Sequence, residues 1–450
     1  MKYGFSPGSF AILSGKAANV LYRLYTLLGT GCLPVVYLLA PLANLVGGRF
    51  FYRLDERLAR YPLPISGPPA GGGKRIWLHA ASVGEIQVAG NIIAELERHG
   101  ISQVFLTVMT EQGRLVAEKK FGDRVTCLMA PLDIPCLVRR LIARIRPDIF
   151  ICVETELWPA LLDTVRLAGI GMVLVNGRIS SRSFCRYRRV AGLMQRLLSG
   201  FQAVVVIRPE DGERFVALGA PKQYVRVGGN SKYTAAPNER AGMRDRYRKQ
   251  LNLGPTDRVF ITGSTRSGEE ELLLPVYERL RSESDQRLVW IVAPRHLQRL
   301  GAVREFFGGQ ELPVTLFSEC APGRRSADII LVDCMGELAD LYAAGDFNYC
   351  GGSLVEKGGH NIMEIVHWGL PVYFGPFMQD FLDAVDMVIP AGAGFQVKSS
   401  EELASILINH LQDKKSYDRA CRAAVELGRR QNQALRAQVE AVCRVLAEKG

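Results

Sequence analysis

Short apolar runs, each followed by a segment of helical spacing, recur along most of the chain. Arg75–His79, Val104–Thr107, Ile149–Val153, Met172–Asn176 and Ala203–Ile207 read as buried strands. The segments between them, ending near Arg98 or covering Glu111–Phe121, Leu137–Arg146, Leu161–Leu167 and Val190–Leu198, read as helices. Near Tyr224–Tyr233 the pattern pauses. It restarts with strands at Val259–Gly263, Leu288–Ala293, Val314–Phe317, Ile329–Val332, Phe347–Cys350 and Val372–Phe374. Helices Glu269–Arg281 and Arg299–Phe307 lie among them, and Glu402–Lys449 reads as helical. Alternation of this kind predicts mainly parallel sheets covered by helices.

Two such series, joined near Gly228–Thr234, predict an α/β chain of two Rossmann-like domains facing across a cleft. The expected limits are 1–60 for an anchor and the start of a linker, 61–228 and 229–420 for the two domains, and 421–450 for a C-terminal helix. Pro62–Gly73 (PLPISGPPAGGG) has the composition of a linker.

The N-terminus follows another pattern. From Leu24 to Gly48 there is no charged residue, and Leu33–Val46 is almost entirely apolar. That length suits a membrane anchor. Pro34 and Pro41 argue against a straight helix, so a kinked or re-entrant anchor and a buried helical hairpin stand as alternatives to a spanning one. Basic residues on both sides of the run leave its orientation open.

Composition narrows the picture further. With 450 residues and 48% hydrophobic positions, the chain is long enough for two cores. Its ten cysteines show no CxxC pair or zinc-like spacing, which predicts a reduced, cytosol-facing protein without structural disulfides. The formal net charge of +11 calls for an anionic partner. Part of it is concentrated in Asn176–Arg189, where Arg178, Arg182, Arg186, Arg188 and Arg189 outnumber the two aromatics, Phe184 and Tyr187. That favours a discrete phosphate or carboxylate ligand over nucleic acid.

Candidate chemistry follows the strands. Glu85 lies just after the first strand (WLHAASVGE), and Glu154 and Glu156 follow another (VETELWP). Carboxylates past the carboxyl ends of parallel strands are placed for acid–base work. In the second half, three loops are candidates for holding a nucleotide. Gly263–Glu271 (GSTRSGEEE) offers small residues and a helix N-terminus. Pro294–His296 puts a cation and an imidazole at a strand end. Gly351–Glu364 (GGSLVEKGGHNIME) has two Gly-Gly pairs and a carboxylate suited to ribose hydroxyls. None is a GxGxxG or Walker A pattern.

Together HAASVGE, ETELWP, NGRISSRSF, GST…GEE, APRH, MGEL and GGSLVEKGGHNIME resemble the 3-deoxy-D-manno-octulosonic acid (Kdo) transferases of lipopolysaccharide assembly. The resemblance implies a GT-B fold, an N-terminal anchor and a location on the cytoplasmic face of the inner membrane. The implied donor is CMP-Kdo and the acceptor a phosphorylated lipid A precursor. It makes Glu85 the general base of an inverting transfer and one of Glu154 and Glu156 a second essential carboxylate. On the donor side it implicates Pro294, Arg295 and His296 at the CMP phosphate and Met335, Gly336, Glu337 and Leu338 at the base. Asn361 and Glu364 are assigned to phosphate or ribose, with Gly263, Ser264, Thr265, Gly352 and Ser353 in the flanking loops. On the acceptor side it implicates Ser82, Gly84, Arg178, Arg182 and Arg186. No metal or other cofactor is expected, CMP-Kdo being a co-substrate. The chain departs from the family at Gly375–Phe381 (GPFMQDF), where a His followed by Asn-Phe is usual. The competing readings are another GT-B nucleotide-sugar transferase acting on a lipid and a non-catalytic, membrane-tethered binder of nucleotide or lipid.

Overall fold

The structure is a computed structural model and describes residues 15–46, 53–61, 73–101, 103–234, 242–323 and 326–448. The expected linker Pro62–Gly73 lies, but for Gly73, outside the described residues. The chain forms two compact units. One comprises Met1–Tyr233 with Gln431–Gly450, and the other Thr234–Arg430.

The first unit is built on a seven-stranded sheet of order β3-β2-β1-β4-β5-β6-β7, parallel throughout. Its strands are β1 (Arg75–His79), β2 (Gln103–Val108), β3 (Thr126–Met129), β4 (Ile149–Val153), β5 (Gly171–Gly177), β6 (Ala203–Val206) and β7 (Val225–Val227). Alternate residues of each central strand enter different cores. Trp77, Phe105, Phe150 and Leu174 pack on one face, and Ile76, Leu78, Ile151 and Val173 on the other. Burial on both faces is why these strands read as continuous apolar runs. Leu435, Val439, Val442 and Val445, from the last helix (Lys414–Ala447), complete the second core.

The second unit repeats the plan with a seven-stranded parallel sheet, β10-β11-β9-β8-β12-β13-β14. Here the strands are β8 (Arg258–Thr265), β9 (Leu288–Pro294), β10 (Val314–Leu316), β11 (Ile329–Leu331), β12 (Phe347–Cys350), β13 (Val372–Phe374) and β14 (Gly394–Gln396). Trp290 lies at the centre of its core, stacked on Tyr277 and edge-on to Phe307.

Three strands were not anticipated: β3, β7 and β14. All are edge strands of three or four residues. An edge strand needs no apolar row on both faces, and in β7 Arg226 and Val227 are exposed. The pause near Tyr224–Tyr233 therefore contains a strand.

The N-terminal apolar run forms one helix, Gly15–Val46, continuous through Pro34 and Pro41. The re-entrant and hairpin readings give way to this single element. It is not separate from the first unit, because Tyr22 and Leu33 are buried in that unit's core.

Candidate active site

In each sheet the chain departs from its first strand in both directions, at β1/β4 and at β8/β12. Ligands of open parallel sheets bind outside the carboxyl ends at such a switch point. The sequence-predicted carboxylates flank the first of these points. Glu85 follows β1, and Glu154 and Glu156 follow β4, its direct neighbour.

Glu85 sits in the first turn of helix Val83–Arg98. Ser82 caps that helix by accepting the Glu85 N–H at 3.3 Å. The Glu85 carboxylate turns back to accept the Ala81 N–H at 2.7 Å and the Ser82 hydroxyl at 2.8 Å. This is a reciprocal cap, and it fixes the carboxyl group at the strand's end. Only 6% of Glu85 is exposed. Burial raises its pKa to about 7, with Glu156 and Glu154 adding to the rise and the two hydrogen bonds opposing it. A carboxyl tuned to near neutrality is suited to proton transfer.

Glu154 has a left-handed backbone (φ 57) held by its N–H bond to Val175 O at 2.9 Å, and its carboxylate pairs with Arg178 at 3.6 Å. Glu156 accepts the Trp158 indole N–H at 2.7 Å. Arg182 and Arg186 are exposed on helix Ser181–Arg188, which Ser180 caps. Gly84 has no steric need to be glycine, since an added Cβ would meet only Ser82 Oγ, at 3.9 Å. An apolar cavity of about 220 Å³ also opens at the carboxyl ends of β1 and β2, lined by Trp77, His79, Thr107, Met109 and Trp158 among others. Complete burial lowers the His79 pKa to about 4, so the ring is neutral. His79 belongs to the WLHAAS run but carried no sequence signal beyond its place in a strand.

The second unit holds a cavity of about 390 Å³ at the carboxyl ends of β8, β9, β11 and β12. Of the donor-side candidates it brings together Ser264, Pro294, Arg295, Met335, Gly336, Leu338, Asn361 and Glu364. Asn361 donates to Glu364 at 3.1 Å. Burial raises the Glu364 carboxyl, while Asn361 and Arg295 oppose the rise. His360, Tyr342 and Phe381 also line the cavity and were missed as individual residues. Burial and the neighbouring Arg295, Arg266 and His296 lower His360 to about 4. The cavity thus sets one guanidinium, Arg295, opposite the Glu364 carboxyl among its described lining residues.

The remaining donor-side candidates do not line this cavity. Thr265 is buried and donates to Glu270 at 2.6 Å, and Glu337 accepts from Tyr247 at 2.6 Å. His296 is exposed and pairs with Arg266 at 2.6 Å. Gly263 backs onto Tyr342 rather than onto open space. Gly352 and Ser353 are pinned by Glu269, which accepts their N–H groups at 2.6 and 3.2 Å.

That pin corrects the reading of GSTRSGEEE as an anion-binding helix start. Glu269 and Glu270 are themselves buried there. Glu269 accepts from the Arg266 N–H and the Tyr349 hydroxyl as well. Arg299 bonds to Glu270 at 2.7 Å. The helix's own carboxylates take the place a ligand anion would have, and they brace the GGSLVEKGGH loop instead. The divergent Phe377–Phe381 stretch packs on the second Gly-Gly pair. A Cβ on Gly359 would collide with Met378, and Asp380 occupies the corresponding space at Gly358.

Two parallel α/β units, each with candidate chemistry at its switch point, define the GT-B class of fold. UDP-GlcNAc 2-epimerase from Neisseria meningitidis shares that fold at 11% identity, with a TM-score of 0.53, over 82% of this chain and 100% of that one. The C-terminal CMP-Kdo binding domain of WaaA from Acinetobacter baumannii aligns at 29% identity, with a TM-score of 0.38, over 41% of this chain and 95% of that one. In sequence, residues 52–235 match the family described as 3-Deoxy-D-manno-octulosonic-acid transferase (kdotransferase). The 3-deoxy-D-manno-octulosonic acid transferase of Haemophilus influenzae is 30% identical over 406 residues, 90% of this chain and 93% of the relative. A bifunctional glycosyltransferase/methyltransferase of Fusobacterium nucleatum is 32% identical over 348 residues, 76% of this chain. The chain spans about half the length of that relative, 53%. This chain belongs to the Kdo transferase family of glycosyltransferases.

Proposed function

We propose that this protein moves Kdo from CMP-Kdo to a hydroxyl of a phosphorylated lipid A precursor, with inversion at the anomeric carbon. The observation that carries the reading is Glu85, buried beside two other carboxylates with its pKa raised to about 7. It takes the proton of the acceptor hydroxyl as that oxygen attacks the anomeric carbon. The Ala81 and Ser82 bonds hold the carboxylate in place for this step. Glu154 and Glu156 keep the base's affinity for protons high. Arg178, Arg182 and Arg186 meet the acceptor's phosphates, and Ser82 and Gly84 leave room for its hydroxyl.

CMP leaves on the second unit. Arg295 neutralises its phosphate, Asn361 and Glu364 hold phosphate or ribose, and Met335–Leu338 contributes main-chain contacts to the base. Fixed cations stabilise the departing phosphate, and the transfer uses no metal. The enzyme works at the cytoplasmic face of the inner membrane, where its acceptor is an amphiphile. The relatives' transferase names and the place of Arg295 in the second unit's cavity support this reading. Incubation of the purified protein with CMP-Kdo and lipid A precursor should add Kdo masses to the lipid and release CMP. CMP release that does not depend on the lipid, or no mass gain, would reject it.

A further inference from the structure

The helix Gly15–Val46 has two opposed faces. Val20, Leu24, Leu27, Leu28, Val35 and Leu38 follow helical spacing and are 55–76% exposed. The other face is bound to the first unit from Asn19 to Tyr37. Arg196 donates to Asn19 Oδ1 at 2.6 Å and lies 4.4 Å from the Tyr22 ring centroid. Tyr25 donates to Asp133 at 2.7 Å, and Arg140 donates to the Tyr37 oxygen at 2.7 Å. By length and composition Asn19–Leu38 is sufficient to cross a bilayer. Yet Asn19 and Tyr37 are separated by ~27 Å of helix, nearly the full ~30 Å of hydrocarbon. A crossing helix would carry Arg196, Asp133 and Arg140, with the elements that bear them, into the acyl region. Charges are excluded from that region unless they are paired inside a membrane-buried bundle.

We infer that this helix does not cross the membrane. It lies lengthwise in the surface of one leaflet, with its apolar stripe in the acyl chains and its other face clamped on the first unit. The occupant of the stripe is an anionic lipid bilayer. Charge complementarity singles it out: helices Gly15–Val46, Pro135–Ile145, Ser181–Arg188 and Ala191–Leu198 carry lysine and arginine but no Asp or Glu. An amphipathic helix with basic surroundings binds in the interface plane. The inference rests on the membrane-surface reading above and specifies its geometry.

The test uses the full chain with a protease-cleavable tag at its N-terminus, bound from outside to sealed vesicles of phosphatidylethanolamine and phosphatidylglycerol. An in-plane helix leaves the tag cleavable from outside, on the same side as the folded units. Tryptophan placed at Leu28 and at Leu38 should be quenched at similar shallow depth by brominated lipids. The double variant Leu24→Glu, Leu28→Glu should bind the vesicles at least about tenfold more weakly. It should keep its transfer rate on detergent-dispersed acceptor, because neither side chain touches the first unit's core. A protected tag, or Leu28 far deeper than Leu38, would overturn the in-plane geometry while leaving the membrane reading intact. No vesicle binding by the parent chain would overturn both. A lipid-free dimer broken by the double variant, with vesicle binding unchanged, would assign the stripe to a second copy and overturn the inference.

Discussion

The hydroxyl of Tyr342 stands where a side chain on Gly263 would begin. Gly263 is third from the end of β8, and Tyr342 is fully buried beneath the donor-side cavity it helps to line. Gly263→Ala should therefore destabilise the second unit by about 1–3 kcal/mol, the usual cost of overpacking. It should weaken CMP binding in parallel. Tyr342→Phe in the same chain should restore part of both, which melting curves and calorimetry would read. An unperturbed Gly263→Ala melting curve would show that the strand end gives way without cost.

Glu85→Gln should lower transfer by about 10²–10⁴-fold while CMP affinity stays at the parent's level. Stability should move the other way. Burial raises the folded-state pKa of Glu85 from 4.5 to about 7. Its contribution to stability is therefore full below pH ~4.5 and is lost as pH rises through ~7. Glutamine stays neutral, so the variant should melt no lower than the parent at pH 8. More than half the parent activity would remove Glu85 from the mechanism.

The pH dependence can be tested separately. The rate at limiting substrate should rise with pH as Glu85 ionises. Glu156→Gln removes a neighbouring negative charge that pushes the Glu85 pKa upward. The rising limb should consequently move to lower pH, and glutamine still offers an oxygen to the Trp158 indole. An unchanged or upward-shifted limb would separate Glu156 from the base.

Arg295→Ala should cost about 1.5–3 kcal/mol of CMP affinity, the range for a charge-assisted hydrogen bond. His296→Ala serves as the contrast. His296 is exposed, pairs with Arg266 and does not line the cavity, so its removal should leave CMP affinity near the parent's. Equal calorimetric losses from both variants would dissolve the distinction between them.

Saturating EDTA should leave the transfer rate unchanged in a mass-detected assay. Loss of activity restored by Mg²⁺ would replace Arg295 with a metal as the main stabiliser of the leaving phosphate.

The sequence alone determined the two βα series, because the central strands are apolar on both faces and the turns after them carry the polar residues. It also determined that Glu85, Glu154, Glu156, Arg295 and Glu364 follow strand ends. Tertiary structure decided which of those ends are neighbours. β1 and β4 are separated by two other strands in the chain yet pair directly, and this brings Glu85 within the field of Glu154 and Glu156. It decided as well that the carboxylates of GSTRSGEEE turn inward, since the partners of Glu269 lie more than eighty residues further on, at Gly352 and Ser353. The edge strands β3, β7 and β14 left little trace, because three or four residues cannot display a period and an edge does not require one. The N-terminal run was legible as apolar, but not as two-faced. An exposed leucine and a buried one are the same letter, and only the docking of Tyr22 and Leu33 separates the face held by protein from the face left to solvent or lipid.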